Sequence, residues 1–124
     1  MRFTLKFELA AADLARAMAW YSNALGLEPV DRDADALVYR VGETVFGIYR
    51  SENAGTNRGT SVRLVVEDFD AARAELRSKG VAFEDYDLGP DFRTVDGVLT
   101  SPDGEKTSWF TDSEGNILAL GSSL

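Results

Sequence analysis

The stretches "KFELAAADLARAMAWY" (Lys6–Tyr21) and "SVRLVVEDFDAARAEL" (Ser61–Leu76) are one pattern written twice. They align without gaps: Leu9 meets Leu64, Asp13 meets Asp68, Ala17 meets Ala72 and Ala19 meets Ala74. Each begins with an alternating strand, passes an Asp and continues as a helical run. Asp13 and Asp68 suit the N-cap, where a carboxylate accepts the free N–H groups of a first helical turn. Gly26 in "ALGLEPV" and Gly80 in "SKGVAFE" suit the left-handed position that ends a helix.

Further strand signals follow each helix. They are "LEPVDR", "ALVYRV" and "TVFGIYR" in the first half, and "VAFEDY", "RTVDGVLTS", "TSWFT" and "NILAL" in the second. The turn segments "VGET", "SPDGEK" and "DSEGN" separate them. The pattern predicts an α+β fold made of two βαβββ repeats. Repeat one covers about residues 1–50, a Gly-rich polar linker residues 51–59, and repeat two about residues 60–124. Halves of ~50 residues are too small to be stable alone, so the chain is expected to form one domain over 1–124.

Strand alternation assigns faces. Phe3, Leu5, Phe7 and Leu9 form an apolar row expected to pack beneath a helix, leaving Thr4, Lys6 and Glu8 opposite. In the equivalent strand Val62, Leu64 and Val66 pack, while Ser61 and Arg63 face away. Helices on one side of each sheet leave the other side open for Lys6, Glu8, Ser61 and Arg63. In the closing strand Ile117 and Ala119 share one face, Leu118 and Leu120 the other.

Composition narrows the chemistry. The 124 residues include no Cys and no His, so disulfides, thiol catalysis and imidazole acid–base or metal chemistry are excluded. Any metal would need oxygen ligands alone. A formal net charge of −8 argues against nucleic acid as a partner. No apolar run is long enough to span a bilayer, and no basic-then-apolar leader is seen, so no membrane partner and a cytoplasmic location are expected. Asp31, Asp33 and Asp35 alternate like the start of a calcium loop. Ala36 and Gly42 stand where that loop needs Gly and Glu, and the segment reads as a solvated turn.

"ADLARAMAWYSNALGLEPV" and "WFTDSEGNILAL", at this separation and with the internal repeat, resemble the vicinal oxygen chelate superfamily of glyoxalases, extradiol dioxygenases, fosfomycin-resistance enzymes and bleomycin-resistance proteins. The resemblance covers essentially the whole chain. It implies cupped mixed sheets with helices on the convex side, a ligand on the concave face and a homodimer. Enzymatic members carry a metal-binding His on the first strand of each repeat and a Glu on the last. Those positions fall here on Lys6, Ser61 and Ala119, none of which suits a metal, so no metal, no other cofactor and no catalytic residue is assigned.

The resemblance therefore favours a metal-independent protein that sequesters an aromatic or cationic small molecule, as bleomycin-resistance proteins do. Trp109 and Tyr49 are the candidate stacking wall. Lys6, Glu8, Ser61 and Arg63 are the orienting groups, and Gly47 and Ala119 leave space. Phe92 lies in a segment that could fold over the site. The alternative is a lyase, isomerase or dioxygenase of the same superfamily with an atypical site, in which Glu8 would act as a base. The favoured reading of Glu8 is an ion pair with Lys6 or Arg63.

Overall fold

The computed structural model describes residues 1–124. The first repeat supplies β1 (Phe7–Ala11), α1 (Leu14–Leu25), β2 (Asp31–Arg32), β3 (Ala36–Val41) and β4 (Thr44–Arg50). The second supplies β5 (Thr60–Val65), α2 (Phe69–Ser78), β6 (Leu99–Thr100), β7 (Lys106–Thr111) and β8 (Ile117–Gly121). The fold is α+β, with two four-stranded mixed sheets ordered β1-β4-β3-β2 and β5-β8-β7-β6. In each, the first strand of the repeat lies parallel to the last, and the remaining pairs are antiparallel. Residues 51–59 form turns and extended chain without helix or strand.

Contacts divide the chain into two compact units. Met1–Asn57 with Asp112–Asn116 form the first, and Arg58–Thr111 with Ile117–Leu124 form the second. The turn joining β7 to β8 thus belongs with the first repeat.

In the first unit the Asp13 side chain accepts a 3.0 Å bond from Arg16 N, and Gly26 closes α1 at φ 67. Ala17, Tyr21 and Ala24 recur at helical spacing and are buried against the sheet. They meet Leu9, Leu37, Tyr39, Phe46 and Ile48, all buried. Phe7, Phe46 and Tyr39 stack in a row, with ring centroids 5.0 Å apart at each step. The expected apolar row is shorter than its alternation suggests: β1 starts at Phe7, while Phe3 and Leu5 are 72% and 82% exposed. The parallel ladder pairs Phe7 with Phe46, and no strand pairing includes residues 1–6.

In the second unit Asp68 caps α2 through a 3.0 Å bond from Ala71 N. Gly80, at φ 92, follows the last turn as its sequence position predicts. Phe69 and Leu76, two turns apart, are buried with Phe110, Leu118 and Leu120. Three expectations change. The segment "RTVDGVLTS" reduces to the two-residue β6 with isolated bridges at Arg93, Val95 and Val98. "VAFEDY" is not a strand; its backbone touches β7 through Glu84 N to Trp109 O, and then Tyr86 N turns to the Thr94 hydroxyl. The alternation through β5 breaks at Ser61, where a register shift separates the pairs Thr60–Ile117 and Val62–Leu118. Thr60, rather than Ser61, is therefore the residue that pairs with the start of β8.

Candidate functional site

Each sheet has one helix-covered face and one open face. In the first unit the open face is set by the pairs Glu8–Gly47, Ala10–Tyr49, Val38–Gly47 and Ala36–Tyr49. Lys6 Nζ lies 3.2 Å from Glu8 Oε1, and this ion pair lies over Gly47. A Cβ at Gly47 would sit 3.1 Å from Lys6 Cε and 3.3 Å from Glu8 Oε1. Gly47 thus makes room for a charged pair, and the structure unites Lys6, Glu8 and Gly47. Both charges are substantially exposed, the setting in which an ion pair contributes little stability. Tyr49 stands further along the same face, flanked by Ala10 and Ala36, and is exposed.

The second unit repeats this layout with different chemistry. Arg63, Ala119 and Trp109 sit side by side across β5, β8 and β7. By register Arg63 occupies the place of Glu8, and Ala119 that of Gly47. The Arg63 guanidinium donates to Thr107 Oγ1 at 3.1 Å and lies across Gly121, where any Cβ would collide with it. Ala119 is fully buried between its two larger strand partners. Its methyl group is enclosed by neighbours rather than bordering free space. Ser61 lies at the bulge, outside the paired row.

Trp109 is the centre of an aromatic cluster. Its ring meets Tyr86 edge-on and Phe92 at a tilt, with centroids 5.6 Å away in both cases. Its indole N–H donates to Thr60 Oγ1 at 3.1 Å, which fixes the plane of the ring. Trp109 is 9% exposed. What remains open is a shallow pocket of about 320 Å³, bordered by Trp109, Phe92, Tyr86, Thr60, Ile117 and Arg58, with Leu88 and Gly59 completing its lining. Tyr49 belongs to the other unit, and the ring partners of Trp109 are Tyr86 and Phe92.

The loop carrying Tyr86 and Phe92 is held from within. Leu88 N donates to Phe92 O, and Thr94 N to Tyr86 O, each at 2.8 Å. Asp85 accepts from the Thr94 hydroxyl and from Gly97 N, and these bonds hold its carboxyl below the usual aspartate range. The Tyr86 hydroxyl donates to Glu84; burial first, then this carboxylate, pushes the phenol up to about 12. Tyr86, Thr60 and Arg58 are pocket residues that alternation on β-strands could not identify. Tyr86 and Arg58 lie outside strands, and Thr60 becomes a site residue through the bulge. The only sequence signal was the aromatic content of the segment before β6.

A metal does not fit this chain's open faces. The positions singled out for ligands carry an ammonium (Lys6), a hydroxyl at a bulge (Ser61) and an enclosed methyl (Ala119). No three acidic side chains converge to hold an ion. The alternating aspartates act as turn formers: Asp33 Oδ1 accepts from Asp35 N and Ala36 N, and Asp35 pairs with Arg50 at 2.5 Å.

The doubled βαβββ unit with parallel first and last strands is matched by a family model, Glyoxalase/Bleomycin resistance protein/Dioxygenase superfamily, over residues 5–120. The chain belongs to this superfamily. Among solved structures, a superfamily protein described as a glyoxalase / bleomycin resistance protein from Catenulispora acidiphila is 26% identical, with a TM-score of 0.68 and 97% of each chain covered. A bleomycin-binding protein complexed with bleomycin is 18% identical, with a TM-score of 0.70, covering 99% of this chain and 100% of that one. A lactoylglutathione lyase from Agrobacterium tumefaciens is 16% identical, with a TM-score of 0.72, covering 96% of this chain and 92% of that one. The latter two likenesses show the shared superfamily fold alone. Comparison with functionally curated proteins gives no match. No helix is long and apolar enough to cross a membrane.

Proposed function

We propose that residues 1–124 act as one metal-independent domain that binds and sequesters a small aromatic molecule, in the manner the superfamily's bleomycin-binding member suggests. One observation carries this reading: the Trp109–Phe92–Tyr86 cluster borders an accessible pocket on an open sheet face, beside the hydroxyl of Thr60. Aromatic walls with a few polar groups are the usual makeup of a small-ligand site. A planar ligand lying on Trp109 and Phe92 gains stacking and apolar burial without any covalent step.

The enzymatic alternative has less to draw on. Glu8 is engaged by Lys6 at 3.2 Å and exposed, so the candidate base is already occupied by a cation. Glu8→Gln would abolish turnover if that alternative held, and would leave ligand retention at Trp109 unaffected under the binding reading. Self-association is part of the proposal: Phe3, Leu5 and Val41 leave apolar surface exposed on the first unit, and a homodimer would cover it. Sedimentation equilibrium reads that directly. A cytoplasmic site of action is part of the proposal, and a chain without cysteine is compatible with it.

The test of binding is a pair of substitutions at the pocket. Ile117→Trp fills it, and Phe92→Ala removes one wall. Both should weaken retention of an aromatic probe such as 1-naphthamide at least about tenfold, with the far-ultraviolet circular dichroism unchanged. Unaltered affinity in both variants would move the site elsewhere.

A further inference from the structure

We propose that the Trp109 pocket selects an aromatic ligand bearing a negative charge, of the aryl carboxylate class, rather than the cationic ligand an acidic protein would be expected to attract. This rests on the binding reading above and adds the sign of the ligand's charge to it.

The charge bordering the pocket runs against the charge of the chain. The protein carries −8 overall, yet the one ionisable group of fixed charge lining this pocket is the guanidinium of Arg58. Arg58 forms no ion pair, whereas Glu84, Asp85 and Asp87 of the neighbouring loop are engaged, and the exposed Asp91 beside Phe92 does not line the pocket. Glu84 accepts from the Tyr86 hydroxyl, Asp85 from Thr94 and Gly97, and Asp87 pairs with Arg93 at 3.2 Å. No carboxylate lines the pocket to receive a cation.

Thr60 adds directionality. Its oxygen already accepts from the Trp109 indole, so the proton of its own hydroxyl is left to donate, and a ligand acceptor is the partner that suits it. Arg63, on the same sheet face, does not line the pocket: its guanidinium lies over Gly121 and donates to the hydroxyl of Thr107, which leaves Arg58 as the cation at the pocket. A planar ring on Trp109 and Phe92 would thus place an attached carboxylate among N–H and O–H donors. An attached ammonium would meet Arg58 instead, and like charges repel. Because Arg58 is exposed, its attraction is screened by salt, and the selectivity it gives is modest.

Three probes of equal ring size decide the matter: 1-naphthoate, 1-naphthamide and 1-naphthylmethylamine, each titrated calorimetrically into the intact protein at low salt and again at 1 M sodium chloride. The expected order is carboxylate, then amide, then amine, with the carboxylate favoured over the amide about five- to tenfold at low salt. Arg58→Gln should bring that ratio close to one, Arg58→Lys should keep most of it, and high salt should shrink it. An amine that binds as well as the carboxylate, or a ratio unmoved by Arg58→Gln, overturns charge selection. If all three probes bind alike and all lose affinity in Phe92→Ala, the pocket stands and the charge preference falls. If none binds, both fall together.

Discussion

Glu114 holds Arg16 with both carboxylate oxygens, Arg16 Nε to Oε2 at 2.8 Å and Nη2 to Oε1 at 2.9 Å. The same carboxylate accepts from Asp13 N at 2.9 Å and from the Ser113 hydroxyl at 2.8 Å. A residue of the β7–β8 turn thereby secures the first turn of α1, beside the helix's own cap. Two turn neighbours act in parallel: Asp112 accepts from the Tyr21 hydroxyl at 2.6 Å, and the Asn116 amide donates to Ala10 O at 2.9 Å. A segment that reads as an ordinary acidic hairpin turn is a buried polar clasp on the first unit.

The clasp is sensitive to acid. The bond from Arg16, assisted by Asp13 N and Ser113 and opposed by burial, lowers Glu114 from the ordinary 4.5 to about 2. A carboxylate with a lowered folded pKa stabilises above its unfolded value, and that contribution is lost as pH falls through the folded one. Glu114 should contribute fully above pH 4.5 and lose its contribution between 4.5 and about 2. Its size is at most about 3 kcal/mol. Melting of wild type and Glu114→Gln against pH should show a gap above pH 4.5 that closes toward pH 2.

Tyr21 and Tyr39 pack 5.8 Å apart on the same core and should respond oppositely to loss of the hydroxyl. The Tyr21 hydroxyl serves the buried Asp112, so Tyr21→Phe should cost about 1–3 kcal/mol. The Tyr39 hydroxyl is buried without a hydrogen-bond partner. Removing it relieves an unmet polar group, and Tyr39→Phe should be neutral or stabilising by about 1 kcal/mol. Denaturant midpoints of the two variants give the comparison.

Two glycines near β8 should differ in the same way. Gly115 sits at φ +87, with the Cα of Gly55 at 2.9 Å from any Cβ, and that backbone has nowhere to go. Gly115→Ala should destabilise by at least about 1–2 kcal/mol. Gly121 is blocked only by the tip of Arg63, a long side chain that can swing away. Gly121→Ala should cost less than about 1 kcal/mol and should break the Arg63–Thr107 bond. Thermal melts measure the first effect, and arginine side-chain NMR shifts report the second.

Much of the fold was legible because its signals are local and repeated. Asp13 and Asp68 announce both helix starts, and the gapless alignment of Lys6–Tyr21 with Ser61–Leu76 announces the duplication. Strand parity placed Leu9 in the core and set Leu118 and Leu120, both buried, on the face opposite Ile117 and Ala119. It failed where pairing, rather than alternation, decides: Phe3 and Leu5 alternate well but lie outside the ladder, and a bulge displaces Ser61. Trp109 was visible as a candidate, whereas its neighbours Tyr86 and Thr60 were not. Their roles come from a loop folded through Thr94 and from a register shift, and neither leaves a periodic trace.

Metal-independent binding at Trp109 can be read from a single-tryptophan titration. In a Trp20→Phe background Trp109 is the remaining indole. Its emission would be followed while 1-naphthoate is added to protein stripped with a chelator and shown metal-free by elemental analysis. Saturable quenching with one ligand per chain is expected, unchanged when manganese, cobalt, nickel or zinc is restored. Quenching that appears only after a metal is returned, or retention of about one ion per chain through the chelator step, would instead make the site metal-dependent.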